Sequence, residues 1–145
     1  MTTENGVNNG DRLIAHLYNA MREFNHRVPS LIDLAFLENR IYAEIICDFV
    51  HVSPETIGMA INNRDSEKLI LISDSISPTG KRDGICKLGT LSVKKQGEMC
   101  TLFGSGALAG SGLVLGKAMR NLNSIGIRLE EILRMTSATW NCEKK

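Results

Sequence analysis

The stretch KLILISD at residues 68–74 decides the fold. Leu69, Ile70, Leu71 and Ile72 form a continuous apolar run bounded by charge, the pattern of a strand buried on both faces, as in parallel sheets. Upstream, IYAEIIC at residues 41–47 reads as a second strand, rich in isoleucine and closed by Asp48. A shorter run, Leu13-Ile14-Ala15, reads as a third and ends near residues 16–18. Helices fit between them. Pro29-Ser30-Leu31 opens one that reaches about Glu38. Ser53-Pro54 offers an N-cap followed by proline at the first helical position, with Ile57, Ala60 and Ile61 at helical spacing and a stop near Asn63. Strands that alternate with helices predict βαβ units and a parallel sheet.

Downstream the pattern changes. Residues 79–103 carry turn signals at Asp83-Gly84 and Gln96-Gly97 around short runs of mixed polarity, which predicts a small antiparallel insertion. After the glycine-rich GSGALAGSG, Leu115, Ala118, Met119, Leu122 and Ile125 keep helical spacing from about Ser111 onward. A second amphipathic helix follows, with Leu129, Ile132, Leu133 and Thr136 on one face. Residues 1–11 read as a flexible lead-in, 12–138 as the folded domain, and 139–145 as a disordered tail.

A chain of 145 residues is one domain by length and can bury a real core. Its formal charge of +1 provides no field for nucleic acid or an acidic membrane. No apolar run approaches the roughly 20 residues of a membrane span, and the N-terminus has no basic-then-apolar leader pattern. The four cysteines, Cys47, Cys86, Cys100 and Cys142, show no CxxC spacing and read as reduced thiols. A cytoplasmic location is the expectation.

In parallel α/β proteins, ligands gather where the βα loops leave the carboxyl ends of the strands. Here those ends carry His16, the pair Asp48 and His51, and Asp74, a set suited to metal-assisted or general acid–base chemistry. Each residue also has a plainer role. A strand-end histidine is often a half-buried hydrogen-bonded side chain, an aspartate before Ser-Ile-Ser-Pro caps turns, and Arg27 reads as a solvated arginine as well as a clamp for a dianion. The glycines of residues 104–112 do not fit GxGxxG and lack the lysine of a phosphate loop. A nucleotide site is therefore a weak reading. A loop closing over a substrate and a plain turn both remain open.

HLYNAM at 16–21, HRVP at 26–29, YAEIICDFVHV at 42–52, LILISD at 69–74 and LAGSGL at 108–113 together resemble successive motifs of N-acetylglucosamine-6-phosphate deacetylases of the amidohydrolase superfamily. The similarity runs from about residue 12 to about residue 138. It implies a partial TIM-type barrel, about three parallel βα units with a small antiparallel insertion and C-terminal helices. It also implies metal-dependent hydrolysis of the acetamide of N-acetylglucosamine 6-phosphate, giving glucosamine 6-phosphate and acetate. By this resemblance His16 is a ligand to a divalent metal of the zinc or iron class. Asn19, Ala20, Arg27, Asp48 and His51 belong to the amino sugar phosphate site, with Arg27 on the phosphate. Asp74 is the catalytic aspartate, and Leu108, Ala109 and Gly110 form a loop that closes on the substrate.

The resemblance is to a C-terminal half, so a complete metal site needs ligands that His16 alone does not supply. Expected partners are the sugar phosphate and either a complementary N-terminal half or a second copy of the chain. A non-catalytic fragment that still binds sugar phosphate is the alternative. Three departures stand out: Phe49 where the family has glycine, Val28 where it has glutamate, and Ser75 where it has alanine.

Overall fold

The computed structural model describes residues 10–137. The remaining parts of the expected lead-in and tail, residues 1–9 and 138–145, lie outside the described residues. A three-stranded parallel sheet runs in the order β1 (Leu13–Ile14), β2 (Tyr42–Ile46), β3 (Leu69–Ile72). The connections carry α1 (Leu31–Leu37) and α2 (Pro54–Asn63). α1 starts at a capping box: the Ser30 hydroxyl accepts from the Ile32 amide, and the Asp33 carboxylate accepts from the Ser30 amide at 2.7 Å. α2 starts with Ser53 as cap and Pro54 at the first helical position.

The sheet is buried on one face more than the other. Ile14, Ala43, Ile45, Leu69 and Leu71 share a face by register and join Ala35, Ile57, Ala60 and Ile61 of the helices in the main core. The opposite face carries Leu13, Tyr42, Glu44, Ile70 and Ile72, exposed or half-buried, together with Ile46, which is buried. The expectation of a β3 buried on both faces is thus corrected: Leu69 and Leu71 are buried, whereas Ile70 and Ile72, on the other face, are half-buried and keep contact with solvent.

A residue that sequence reading passes over ties this layer together. Arg64, at the end of α2, is 9% exposed and donates from Nη1 to the Ala35 carbonyl and from Nη2 to the Ile41 carbonyl. It satisfies acceptors at the end of α1 and just before β2.

The antiparallel sheet is a meander of β4 (Gly84–Leu88), β5 (Leu91–Gln96), β6 (Met99–Leu102) and β7 (Leu108–Ser111). Its first hairpin turns at Gly89-Thr90 and not at Asp83-Gly84, because Gly89 supplies the left-handed backbone (φ 58°) that a two-residue loop needs. Asp83 instead accepts from Lys95 Nζ at 3.2 Å and from the Gly97 amide at 3.0 Å. The glycine-rich segment is also corrected. Leu108, Ala109 and Gly110 lie in a strand, with the irregular register that places Met99 opposite Ser111 and Thr101 opposite Leu108. α3 (Leu115–Ser124) begins only after Val114, so no glycine-rich loop opens a helix directly and the nucleotide reading loses its geometry.

α4 (Leu129–Ser137) packs on β3 and the short 3₁₀ turn Ser66–Lys68 before it, with α3 alongside. It buries Ile132 and Met135, whereas Leu129 and Leu133 of the expected face are exposed. Ile132 and Met135 are an i, i+3 pair, so the buried side of this helix runs through them and away from Leu129 and Leu133.

Candidate functional site

The carboxyl ends of β1, β2 and β3 hold the five non-glycine residues with positive φ among the described residues: His16 (34°), Tyr18 (75°), Ala20 (55°), Phe49 (65°) and Asp74 (48°). Such backbone costs on the order of 1–3 kcal/mol per residue and persists where surrounding structure over-determines it, often at sites. Phe49 sits where the resemblance has glycine, the residue that takes φ 65° without strain.

At the end of β1, His16 Nδ1 donates to the Asn19 carbonyl at 3.1 Å, and the Asn19 side-chain amide donates back to the His16 and Leu17 carbonyls. Among the described residues this leaves His16 Nε2 as the ring nitrogen without a partner, the arrangement common to metal-binding histidines. Ala20 is exposed. Arg27, farther along the same loop, is exposed, and its guanidinium pairs with none of the described residues.

At the end of β2 the Asp48 carboxylate is fully enclosed. Oδ1 accepts from the amides of Val50 and His51 at 2.9 and 2.8 Å, and Oδ2 accepts from His51 Nδ1 at 2.7 Å and from Ser111 Oγ at 3.1 Å. The two side chains are 0% and 5% exposed. Burial pushes the Asp48 carboxyl up, but the hydrogen bonds from His51 and Val50 outweigh it and hold the pKa at about 2. The bond to Asp48 raises the His51 pKa against the opposing effect of burial, and the negative charges of Asp48 and Asp74 add to the rise. Burial first, and then the charge of Asp48, push the neighbouring Cys47 thiol up to about 12, which makes it inert.

At the end of β3, Asp74 is half-buried, and among the described residues no donor reaches its carboxylate. Strand β7 runs against it. The Ser111 amide donates to the Asp74 carbonyl at 2.9 Å, the Ile76 amide donates to the Ser111 carbonyl, and Ser75 Oγ donates to the Leu113 carbonyl. A Cβ on Gly110 would lie 2.6 Å from Ile76 Cγ2 and 3.6 Å from Asp74 Oδ2, so only glycine allows the strand to pass this close.

The structure therefore brings Asp48, His51, Asp74 and Gly110 together and sets His16 with Asn19 on the neighbouring strand end. Ala109 is half-buried, and Leu108 and Arg27 are exposed. Ser111 was missed. It stands in the quoted LAGSGL, but a serine after glycine signals a turn, and nothing local shows that its hydroxyl reaches a carboxylate 63 residues earlier. A metal does not fit the residues present: among those described, no group of three His, Cys, Asp or Glu side chains could hold an ion.

No family model matches the chain. Among curated proteins, N-acetylglucosamine-6-phosphate deacetylase of Lysinibacillus sphaericus is 37% identical over 123 residues, covering 84% of this chain and 32% of the relative. That of Bacillus subtilis (strain 168) is 38% identical over 109 residues, covering 75% and 27%. This chain resembles the N-acetylglucosamine-6-phosphate deacetylases. Solved structures agree. The Thermotoga maritima deacetylase superposes with a TM-score of 0.86 at 29% identity, covering 92% of this chain and 37% of that one. An aspartate-to-alanine mutant of the Mycobacterium smegmatis deacetylase, solved with N-acetyl-D-glucosamine-6-phosphate, superposes at 0.82 with 26% identity over 91% and 35%. The chain thus spans about a third of the length of the deacetylases it matches. Its parallel and antiparallel sheets are those of a mixed α/β fold shared with these deacetylases.

Proposed function

We propose that this chain forms the wall of a deacetylase site that handles the sugar phosphate and the proton, within a segment of a TIM-type barrel of about three βα units. The observation that carries the reading is the Asp74 carboxylate, which no donor reaches among the described residues, on the same rim as His51 where the parallel strands end. In this reading Asp74 takes a proton from water as the water oxygen adds to the acetamide carbonyl. It returns that proton to the nitrogen as the C–N bond breaks, releasing acetate and glucosamine 6-phosphate. His51 and Asn19 hold the sugar, Arg27 meets the phosphate, and residues 108–110 border the substrate. Because one histidine does not make a metal centre, the partner we propose is a polypeptide equivalent to the remaining part of the relatives. Free Cys47, Cys86 and Cys100 suit the cytoplasm, where we place the chain.

Deacetylation of N-acetylglucosamine 6-phosphate is assayed with zinc, iron or cobalt, using the chain alone and mixed with the remaining part of the Bacillus subtilis relative. Turnover is expected only in the mixture. Robust turnover by the chain alone overturns the need for a partner, and none in either sample overturns the catalytic assignment.

The lack of a three-ligand group among the described residues favours a second reading, a sugar-phosphate-binding remnant without catalysis. Calorimetry with glucosamine 6-phosphate tests it. Binding that Arg27→Ala weakens supports the remnant; no binding removes both readings of the sugar site.

A further inference from the structure

We propose that Asp48 is a positioning residue that, together with Ser111, fixes the His51 ring so that Nε2 faces the sugar phosphate. The inference rests on the sugar-phosphate reading of the rim, and three observations carry it. First, Asp48 has no reach toward a ligand: its side chain is 0% exposed, and both carboxylate oxygens are taken up by four donors. Second, one of those donors is His51 Nδ1, so the imidazole proton is held on that nitrogen and Nε2 is the ring atom with no partner among the described residues. Third, another donor is Ser111, from a different sheet, whose amide also holds the Asp74 carbonyl.

Ser111 is 0% exposed, and its own Oγ accepts from the Leu113 amide at 3.0 Å, which directs the hydroxyl proton to Asp48. The carboxylate therefore sits in a fixed frame. Rotation of the His51 ring would break the bond to Oδ2, and rotation of Asp48 would break those to Ser111 and to two amides. Among the described residues, the charged groups that act on the ring are Asp48 and Asp74, while β7 contributes the neutral Ser111. Both carboxylates favour the imidazolium, so His51 is set to present an N–H donor to a phosphate or hydroxyl oxygen as pH falls. This assigns the two residues of the D48–H51 element different work: His51 meets the ligand and Asp48 acts through it.

The test is ¹⁵N NMR of histidine-labelled full chain across pH, with His51→Gln to assign the signal. It is run on the parent chain, Asp48→Asn, Ser111→Ala and Ser111→Thr. The parent is expected to carry its neutral-state proton on Nδ1. Asp48→Asn is expected to lower the titration midpoint and mix the tautomers. Ser111→Ala should move the signal the same way by less, and Ser111→Thr should restore it. Calorimetry with glucosamine 6-phosphate should show affinity about tenfold weaker in Asp48→Asn, the lower end for loss of an outer partner. An unchanged midpoint and tautomer in a folded Asp48→Asn chain, or an Nε2 proton in the parent, overturns the inference. If Asp48→Asn does not fold, the Ser111 pair decides alone, and identical spectra for Ala and Thr overturn it. If the parent binds no glucosamine 6-phosphate, the sugar-phosphate reading fails, while the spectra still decide whether Asp48 and Ser111 hold the ring.

Discussion

At Gly110 the backbone has φ 65°, and an added Cβ would sit 2.6 Å from Ile76 Cγ2 and 3.2 Å from the Asp74 carbonyl oxygen. The carbonyl cannot swing away because the Ser111 amide holds it. Gly110→Ala should therefore destabilise by about 2–3 kcal/mol, combining overpacking with a strained φ, read as a lowered urea midpoint. An unchanged midpoint would mean that β7 stands farther from Asp74. The Asp48–His51 pair gives a pH dependence whose sign follows from two opposite shifts. The Asp48 pKa falls from 3.8 to about 2, so its contribution is present above 3.8 and lost as acid carries the pH toward 2. That contribution is about 2 kcal/mol for this buried group. The His51 pKa is raised above 6.5, so its contribution is complete below 6.5 and lost as pH rises through the raised value. Stability from the pair is thus greatest from about pH 4 to 6.5. Urea unfolding across pH should show this maximum in the parent chain and lose it in Asp48→Asn.

Among the elements, α1 and α2 are well specified by local chemistry, and their contributions can be measured. Ser53→Ala removes the hydroxyl that accepts from the Thr56 amide and should cost about 1 kcal/mol, with Ser53→Asp close to neutral. Arg64 is a different case. Its two donors serve carbonyls 29 and 23 residues earlier, so Arg64→Ala leaves both acceptors buried and unpaired. A loss of about 2–4 kcal/mol follows from two unmet carbonyls at 1–3 kcal/mol each, less relaxation and water entry. Arg64→Lys should recover part of it by reaching one carbonyl. Equal stability of Ala and Lys variants would show that the guanidinium fork does not join α1 to β2.

Across the whole molecule, two sheets of unequal burial meet at Ser111. The parallel layer shares the main core with α3 and α4, whereas the meander buries only Val93 and Cys100 among its apolar side chains, and neither joins that core. Hydrogen exchange should therefore open β4, β5 and β6 at lower free energy than β2 and β3. Uniform protection across both sheets would contradict this. β7 should be protected more than its neighbours, because its last residue bonds to Asp48, Asp74 and Ile76.

What the sequence by itself determined lies where the cause is local. The run Leu69–Ile72 is β3 with the expected bounds, though buried on one face more than the other, and Ser53-Pro54 starts α2 with no more than a hydroxyl and a fixed φ. The strand ends carrying His16, Asp48, His51 and Asp74 were legible for the same reason, since strand type and βα order place them on one rim. Only the tertiary structure decided how those ends are used. It buried Asp48 behind His51, made residues 108–111 of the glycine-rich stretch into β7, and brought Ser111 to a carboxylate 63 residues away. Those outcomes depend on close approach between segments far apart in the chain, and neither periodicity nor turn chemistry carries that information.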